Sequence, residues 1–313
     1  MSFDVLVLAG GLSHERDVSL RSGRRVAEAL RDAGVSAAVR DVDADLLAYL
    51  DDARPDVVWP LLHGSTGEDG SIRDLLELVG VRAVGTGSAG SRIAWAKPVA
   101  KTVLARAGVA TPASATLPQS LFRELGPHAV LGRVLDRLGL PLVVKPASGG
   151  SALGVSLVTS AEALPQAMVS CFSYGDVALI EQAVTGTEVA VSVVDLGDGP
   201  VALPPVEIVV DDGPYDFDAR YNAGRTEYFT PARLPADHLA AACAVAVRAH
   251  DVLRLRHLSR TDLVVDGYGV AWFLEVNVAP GMTETSLFPL AAAASPTPLP
   301  ELYRGLADVA RRG

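Results

Sequence analysis

The chain predicts an α/β protein built from three consecutive lobes, and three observations carry that reading. Short apolar runs alternate with amphipathic helical segments up to about Ala94; helix-then-strand segments follow; two polar-faced strands precede a helical tail. Residues 5–8 are apolar and end at Gly10-Gly11, as a parallel strand buried on both faces does. Val18, Ser22, Val26, Ala29 and Ala33 recur at helical spacing up to Gly34. Residues 57–62 form the next strand, 72–79 a helix closed by Gly80, and 81–84 are expected to return to strand. This alternation predicts an open parallel sheet with function at the loops after its strands. No GxGxxG follows the first strand, so a dinucleotide fold fits poorly.

Beyond Ala94 a helix bears Lys97 and Lys101, and residues 142–146 form a strand ending Lys145-Pro146. A glycine-rich stretch, Ser148 to Gly154, comes next, then a strand over 177–181. From Val189 strands alternate with a long loop near 211–230 and an alanine-rich helix. Strands over 260–265 and 272–276 and a helix from Leu299 complete the chain. The expected domains are 1–94, 95–186 and 187–313.

The net charge of −10 argues against a nucleic-acid surface, which needs a basic stripe. No apolar run approaches the ~20 residues that span a bilayer. The first residues read as a buried strand rather than a signal peptide. Cys171 and Cys243 form no CxxC and suggest a reducing compartment, so a cytoplasmic location is expected. The chain has only three lysines, Lys97, Lys101 and Lys145; coding bias toward arginine explains the low number and makes each remaining lysine more informative. Lys101 is expected to be a solvated helix residue.

The strongest chemical signal is Arg260-Thr261-Asp262 together with Glu275-Val276-Asn277. Side chains alternate along a strand, so Arg260 and Asp262 share one face, as do Glu275 and Asn277. If the strands are neighbours, three oxygen ligands and a guanidinium converge, a set that suits magnesium bound with phosphates. Either strand alone would be better read as a solvated face; the pairing and the segment that follows reverse that. Asn277 leads into Pro280-Gly281-Met282-Thr283, where Gly281 permits close backbone approach and its N–H suits an oxyanion. Thr285, Ser286 and the helix start after them suit a carboxylate; an ordinary Pro-Gly turn with a Ser/Thr cap is the alternative.

These segments, with Leu62-His63-Gly64…Gly67-Glu68-Asp69-Gly70, His14-Glu15-Arg16-Asp17-Val18-Ser19, Asp218-Ala219-Arg220-Tyr221 and Glu227 to Ala232, resemble the D-alanine–D-alanine ligases of the ATP-grasp superfamily. The matches run in order from about residue 3 to residue 290. The resemblance implies the ATP-grasp fold, with nucleotide between the central and C-terminal domains. It also implies a homodimer, ATP and Mg²⁺ (or Mn²⁺) as cofactors, and amino acids as small-molecule substrates. The implied reaction joins two D-alanines through an acyl phosphate for cell-wall peptidoglycan precursors. Lys97, Lys145 and Arg220 would meet ATP phosphates, with Glu181, Val184 and Glu188 at adenine and ribose. Asp262, Glu275 and Asn277 would hold metal. Glu15 would take the first amino acid's ammonium, with His63 near its carboxylate. Arg260 and the Gly281 N–H would stabilise the tetrahedral intermediate, Ser286 and Leu287 would receive the second carboxylate, and Ser151 and Tyr221 would link to Glu15.

Residue-level alternatives remain open. Glu15 also suits a helix start, His63 a packed loop histidine, and Tyr221 a packing anchor. Glu68 and Asp69 read as a turn and cap rather than catalysts. The sequence departs from the usual family pattern at Ala96, Ala152-Leu153, Arg220, Arg73-Asp74 and Ala183. Those departures leave open a ligase or cyclase acting on another small D-amino acid; a non-catalytic ATP-binding protein is the remoter reading.

Overall fold

The computed structural model describes residues 3–150, 152–210 and 226–313. Its first sheet contains three parallel strands in the order β2-β1-β3, with β1 Asp4–Leu8, β2 Ser36–Arg40 and β3 Val57–Pro60. The expected fourth strand does not form. Between Gly80 and Gly85, both at positive φ, residues 81–84 make a single bridge, Val58 to Ala83. Two left-handed glycines so close together leave too little extended chain for a ladder. Helix α1 (Arg16–Asp32) packs on the sheet through Ser22, Gly23, Val26, Ala27 and Leu30. Val18, Ala29 and Ala33 sit at the margin of this buried face, because small residues at 22, 23 and 27 let the helix rotate closer to the sheet. Helices α2 (Leu46–Ala53), α3 (Ser65–Glu68), α4 (Ser71–Val79) and α5 (Ser88–Trp95) follow.

The second sheet is antiparallel: β4 (Ser114–Pro118), β5 (Leu142–Pro146), β6 (Ser156–Val158) and β7 (Val177–Gln182) lie in the order β4-β7-β5-β6. Helices Gln119–Leu125, Pro127–Leu138 and Leu164–Phe172 accompany it, and a core around Leu142, Val144, Leu164 and Ile180 holds this layer together. Helix α6 (Lys97–Arg106) instead buries Ala100 and Leu104 among residues of the third sheet. That sheet is made of β8 (Thr187–Asp195), β9 (Pro200–Ala202), β10 (Val206–Val210), β11 (Thr226–Phe229), β12 (Leu258–Val265) and β13 (Ala271–Asn277). It runs β11-β10-β8-β12-β13, with β9 paired to β8.

The chain's beginning and end share one core. Helices Leu287–Ala293 and Leu299–Arg312 bury Phe288, Leu302, Tyr303 and Leu306 among Val5, Val7, Val26, Leu30 and Trp59. Trp59 and Tyr303 meet edge to face at 5.3 Å, a favoured aromatic geometry. Met282 is fixed at this seam. Its N–H donates to Ser22 Oγ at 3.0 Å, its carbonyl accepts Arg25 Nε at 3.2 Å, and Tyr303 Oη lies 3.3 Å from its sulfur. The loop after β13 is therefore bolted to the first helix.

Candidate active site

A cleft of about 830 Å³ opens between the second and third sheets and is walled on a third side by the loop after β1. Lys97, Lys145, Glu181, Val184, Glu188, Asp262 and Glu275 line it, together with Glu15 and the glycine-rich stretch. A side pocket of about 30 Å³ brings in Glu68, Arg260 and Asn277.

One rim of the cleft is the β12–β13 pair. The register sets Arg260 opposite Asn277 and Asp262 opposite Glu275, so all four share a face as alternation predicts. The register shifts just past Asp262, a bulge of the kind that re-aims side chains beside active sites. Arg260 Nε and Nη2 donate to the two Asp262 oxygens at 2.7 and 2.8 Å, a bidentate buried pair. Asn277 Oδ1 accepts the Ala279 N–H at 2.7 Å. Lys97 lies 3.3 Å from Glu275 Oε2 and donates to the Gly149 carbonyl at 2.5 Å, tying rim to glycine loop. No group of three His, Cys, Asp or Glu with metal-site spacing exists among the described residues. Two carboxylates and one amide oxygen nevertheless fit a hard cation whose remaining ligands are phosphates and water.

The floor is built differently. Glu181 Oε1 and Oε2 are each 2.5 Å from a lysine, Lys145 and Lys101 respectively. Burial pulls the Lys145 ammonium down, but Glu181, Glu275 and Glu188 outweigh it and leave its pKa raised. Burial likewise pushes the Glu181 carboxyl up, and the two lysines reverse that to hold it below the ordinary range. Lys101 is only 3 % exposed, so the expectation of a solvated lysine is wrong. It stands one turn after Lys97 on α6, and the partner that buries it is eighty residues away in sequence.

The opposite wall carries Glu15 at the start of α1, Glu68 lines the side pocket, and His63 is buried behind them, lining neither cavity but within electrostatic reach of Glu15 and Arg260. Glu68 makes the cap-type contact expected of it, to the residue that opens α3. It is buried, accepts the Gly64 N–H at 2.9 Å and approaches His63 Nδ1 at 3.9 Å. Burial, and then the Glu15 charge, push its carboxyl up to about 8. Gly67 makes the fold-back possible, since a Cβ there would stand 1.9 Å from the Leu62 carbonyl oxygen. His63 is held below its usual pKa by burial, and its Nε2 finds no hydrogen-bond partner among the described residues. Such a buried orphan is a natural place for a substrate's polar atom.

Gly281 precedes the pinned Met282. A Cβ at Gly281 would lie 2.8 Å from Ser286 Oγ, so glycine is required for the two to approach. Ser286 stands at the N-cap position of the helix that opens with buried Leu287, but its Oγ turns back to accept the Thr283 N–H at 3.0 Å and bond Thr283 Oγ1 at 2.8 Å. In the glycine loop, Gly149, Ala152 and Gly154 all have positive φ, and at Ala152 that conformation is strained. Ser151, Arg220 and Tyr221 lie outside the described residues.

Fold and cleft together define an ATP-grasp ligase. The family model described as "D-ala D-ala ligase C-terminus" matches residues 103–307. A D-alanine–D-alanine ligase of Pelotomaculum thermopropionicum is 38% identical over 99% of this chain and 97% of its own. One from Bordetella avium is 41% identical over 92% and 88%. The crystal structure of D-alanine–D-alanine ligase from Bacillus anthracis superposes with a TM-score of 0.81 at 27% identity, covering 100% of this chain and 98% of that one. Its complex with ATP gives the same score. The chain belongs to the D-alanine–D-alanine ligase family.

Proposed function

We propose that this chain joins two D-alanine molecules at the expense of ATP, assisted by Mg²⁺, to supply a peptidoglycan precursor. What carries the reading is the convergence, on one cleft, of the Arg260–Asp262–Glu275–Asn277 face with Lys97, Lys145 and Glu181. A carboxylate is a poor acyl donor, so its oxygen first takes the ATP γ-phosphoryl group, releasing ADP. Lys97 and Lys145 neutralise the phosphates, and the N–H groups of the glycine loop form an anion nest over them. Asp262, Glu275 and Asn277 would hold Mg²⁺, which supplies charge neutralisation at the transferring phosphoryl group. Glu15 takes the first amino acid's ammonium, and His63 lies by its carboxylate. The second amino acid is held by its carboxylate at Ser286 and the start of the helix at Leu287. Its amine, once deprotonated, attacks the acyl carbon; Arg260 and the Gly281 N–H stabilise the oxyanion, and phosphate leaves. Glu181, Val184 and Glu188 receive adenine and ribose, and Ser151, Arg220 and Tyr221 complete the closed site.

Each of the proposed lobes 1–94, 95–186 and 187–313 holds one of the three sheets, although α6 of the second packs on the third sheet. No helix among the described residues is long and apolar enough to cross a membrane. With the family relationship, this supports a cytoplasmic enzyme, and we propose a homodimer, which sedimentation of the purified protein tests. The decisive assay is phosphate release with ATP, Mg²⁺ and single or paired D- and L-amino acids. D-alanine alone should sustain turnover. Turnover only with another D-amino acid would overturn the substrate assignment, and none with any amino acid would overturn the enzyme.

A further inference from the structure

We infer that Lys101 is a positioning residue of the nucleotide site, the standing counter-ion of Glu181 that frees Lys145 to engage a phosphate. The inference rests on the proposed ATP reading of the cleft. Lys97, Lys145 and Glu181 all line that cleft, whereas Lys101 does not; it reaches Glu181 from behind the wall. The side chains of Lys101, Glu181 and Lys145 are 4 %, 2 % and 8 % exposed, so solvent screens none of these contacts. Each carboxylate oxygen has its own ammonium at 2.5 Å. One counter-ion would neutralise this carboxylate, so Glu181 holds one ammonium more than it needs, while Glu275 and Glu188 also act on Lys145.

That surplus has a use. Suppose Lys145 alone neutralised Glu181: each movement of Lys145 onto a phosphate would strand a buried carboxylate, at a large desolvation penalty. With Lys101 fixed on Oε2, Lys145 leaves Oε1 without stranding it. The freed oxygen then faces the cleft, oriented by Lys101, ready to accept a hydrogen bond from a ligand. Helix α6 supplies the rigidity, since Lys97 and Lys101 stand one turn apart on a shared side. Ala100 and Leu104 beside them are fully buried, so the helix cannot slide to compensate for a lost lysine.

The test uses the full chain and steady-state phosphate release with ATP and D-alanine varied separately. Wild type must first saturate with ATP; failure there overturns the functional reading as well. Lys101→Met should raise KM for ATP about tenfold or more, with KM for D-alanine changed less than about threefold. Lys101→Arg should recover most of the loss. In a Glu181→Gln background, adding Lys101→Met should cost less than about threefold, because the carboxylate to be neutralised is gone. This pair also keeps the test open if Lys101→Met alone misfolds. An unchanged ATP KM in folded Lys101→Met, or an undiminished effect in the Glu181→Gln background, overturns the inference while leaving the ATP reading intact.

Discussion

Two clusters of charged residues meet at the cleft, and they are assembled by different rules. At the rim, cations and carboxylates match one to one: Arg260 with Asp262, Lys97 with Glu275. The Glu275 side chain is 24 % exposed, so water and ligands reach it. On the floor two lysines share one carboxylate, and all three side chains are below a tenth exposed. A rim pair can exchange its internal partner for a ligand, because each member is replaceable by a phosphate or a cation. A floor triad keeps its carboxylate neutralised whichever lysine moves. Within the floor, Lys145 lines the cleft and Lys101 stands behind it, so one lysine is placed to meet a ligand and the other to keep Glu181 ready.

Breaking the rim should have the largest consequence. Glu275→Gln keeps the shape but removes the charge, and turnover at ordinary Mg²⁺ should fall by roughly 10²–10³ or more. Wild-type kcat in that variant would remove Glu275 from the proposed metal site. Arg260→Met should cost a similar ~10²–10³ in kcat. It should also lower stability by about 3–5 kcal/mol, since Asp262 is left charged and buried. Arg260→Lys should recover little, because one ammonium cannot reproduce the two-pronged contact. Denaturant melts beside kinetics separate the two losses.

Glu68 offers a comparison through pH. Its carboxyl titrates near 8 in the folded protein, against 4.5 for an ordinary glutamate. Between those values the folded state holds a proton that the unfolded chain has released. Its contribution to stability therefore declines as pH rises from about 4.5 to 8, and is fully lost above that. Glu68→Gln should gain on wild type across this window by a few kcal/mol, to order of magnitude. Parallel melting-temperature profiles from pH 5 to 9 would show that Glu68 does not carry the proton.

The smallest effect sits on the helix that serves both clusters. Ala96 caps α6 without a side-chain hydrogen bond, although Lys97 of the rim and Lys101 of the floor both ride on that helix. Ala96→Asp should raise stability by about 0.5–1 kcal/mol in thermal melts. No gain would indicate that the cap position cannot adopt capping geometry.

The rim was legible because a strand's period is two: Arg260, Asp262, Glu275 and Asn277 declare their shared face without knowledge of anything distant. The loop through Gly281 was legible for a similar local reason. The floor was not. A lysine at helical spacing reads as solvated unless its partner is known, and Lys101 meets Glu181 only where α6 reaches β7, eighty residues away in sequence. The informative signal was rarity, with three lysines in the whole chain and two of them one turn apart. The cap role of Glu68 was legible but its burial was not: Gly67 folds it inward, and nothing in a turn motif tells which way its acid faces. The expected strand over 81–84 failed where two positive-φ glycines outweighed β-branched residues.

The edge-to-face contact of Trp59 with Tyr303 bears on how the protein is made. Translation proceeds at about 5–20 residues per second, so the interval between these two aromatics corresponds to on the order of 10–50 s. Throughout that time the first sheet has left the ribosome while the helix that covers it does not yet exist. A nascent chain of this design carries an uncovered apolar face for most of its synthesis, and its yield in the cell depends on what shields that face until the last helix arrives.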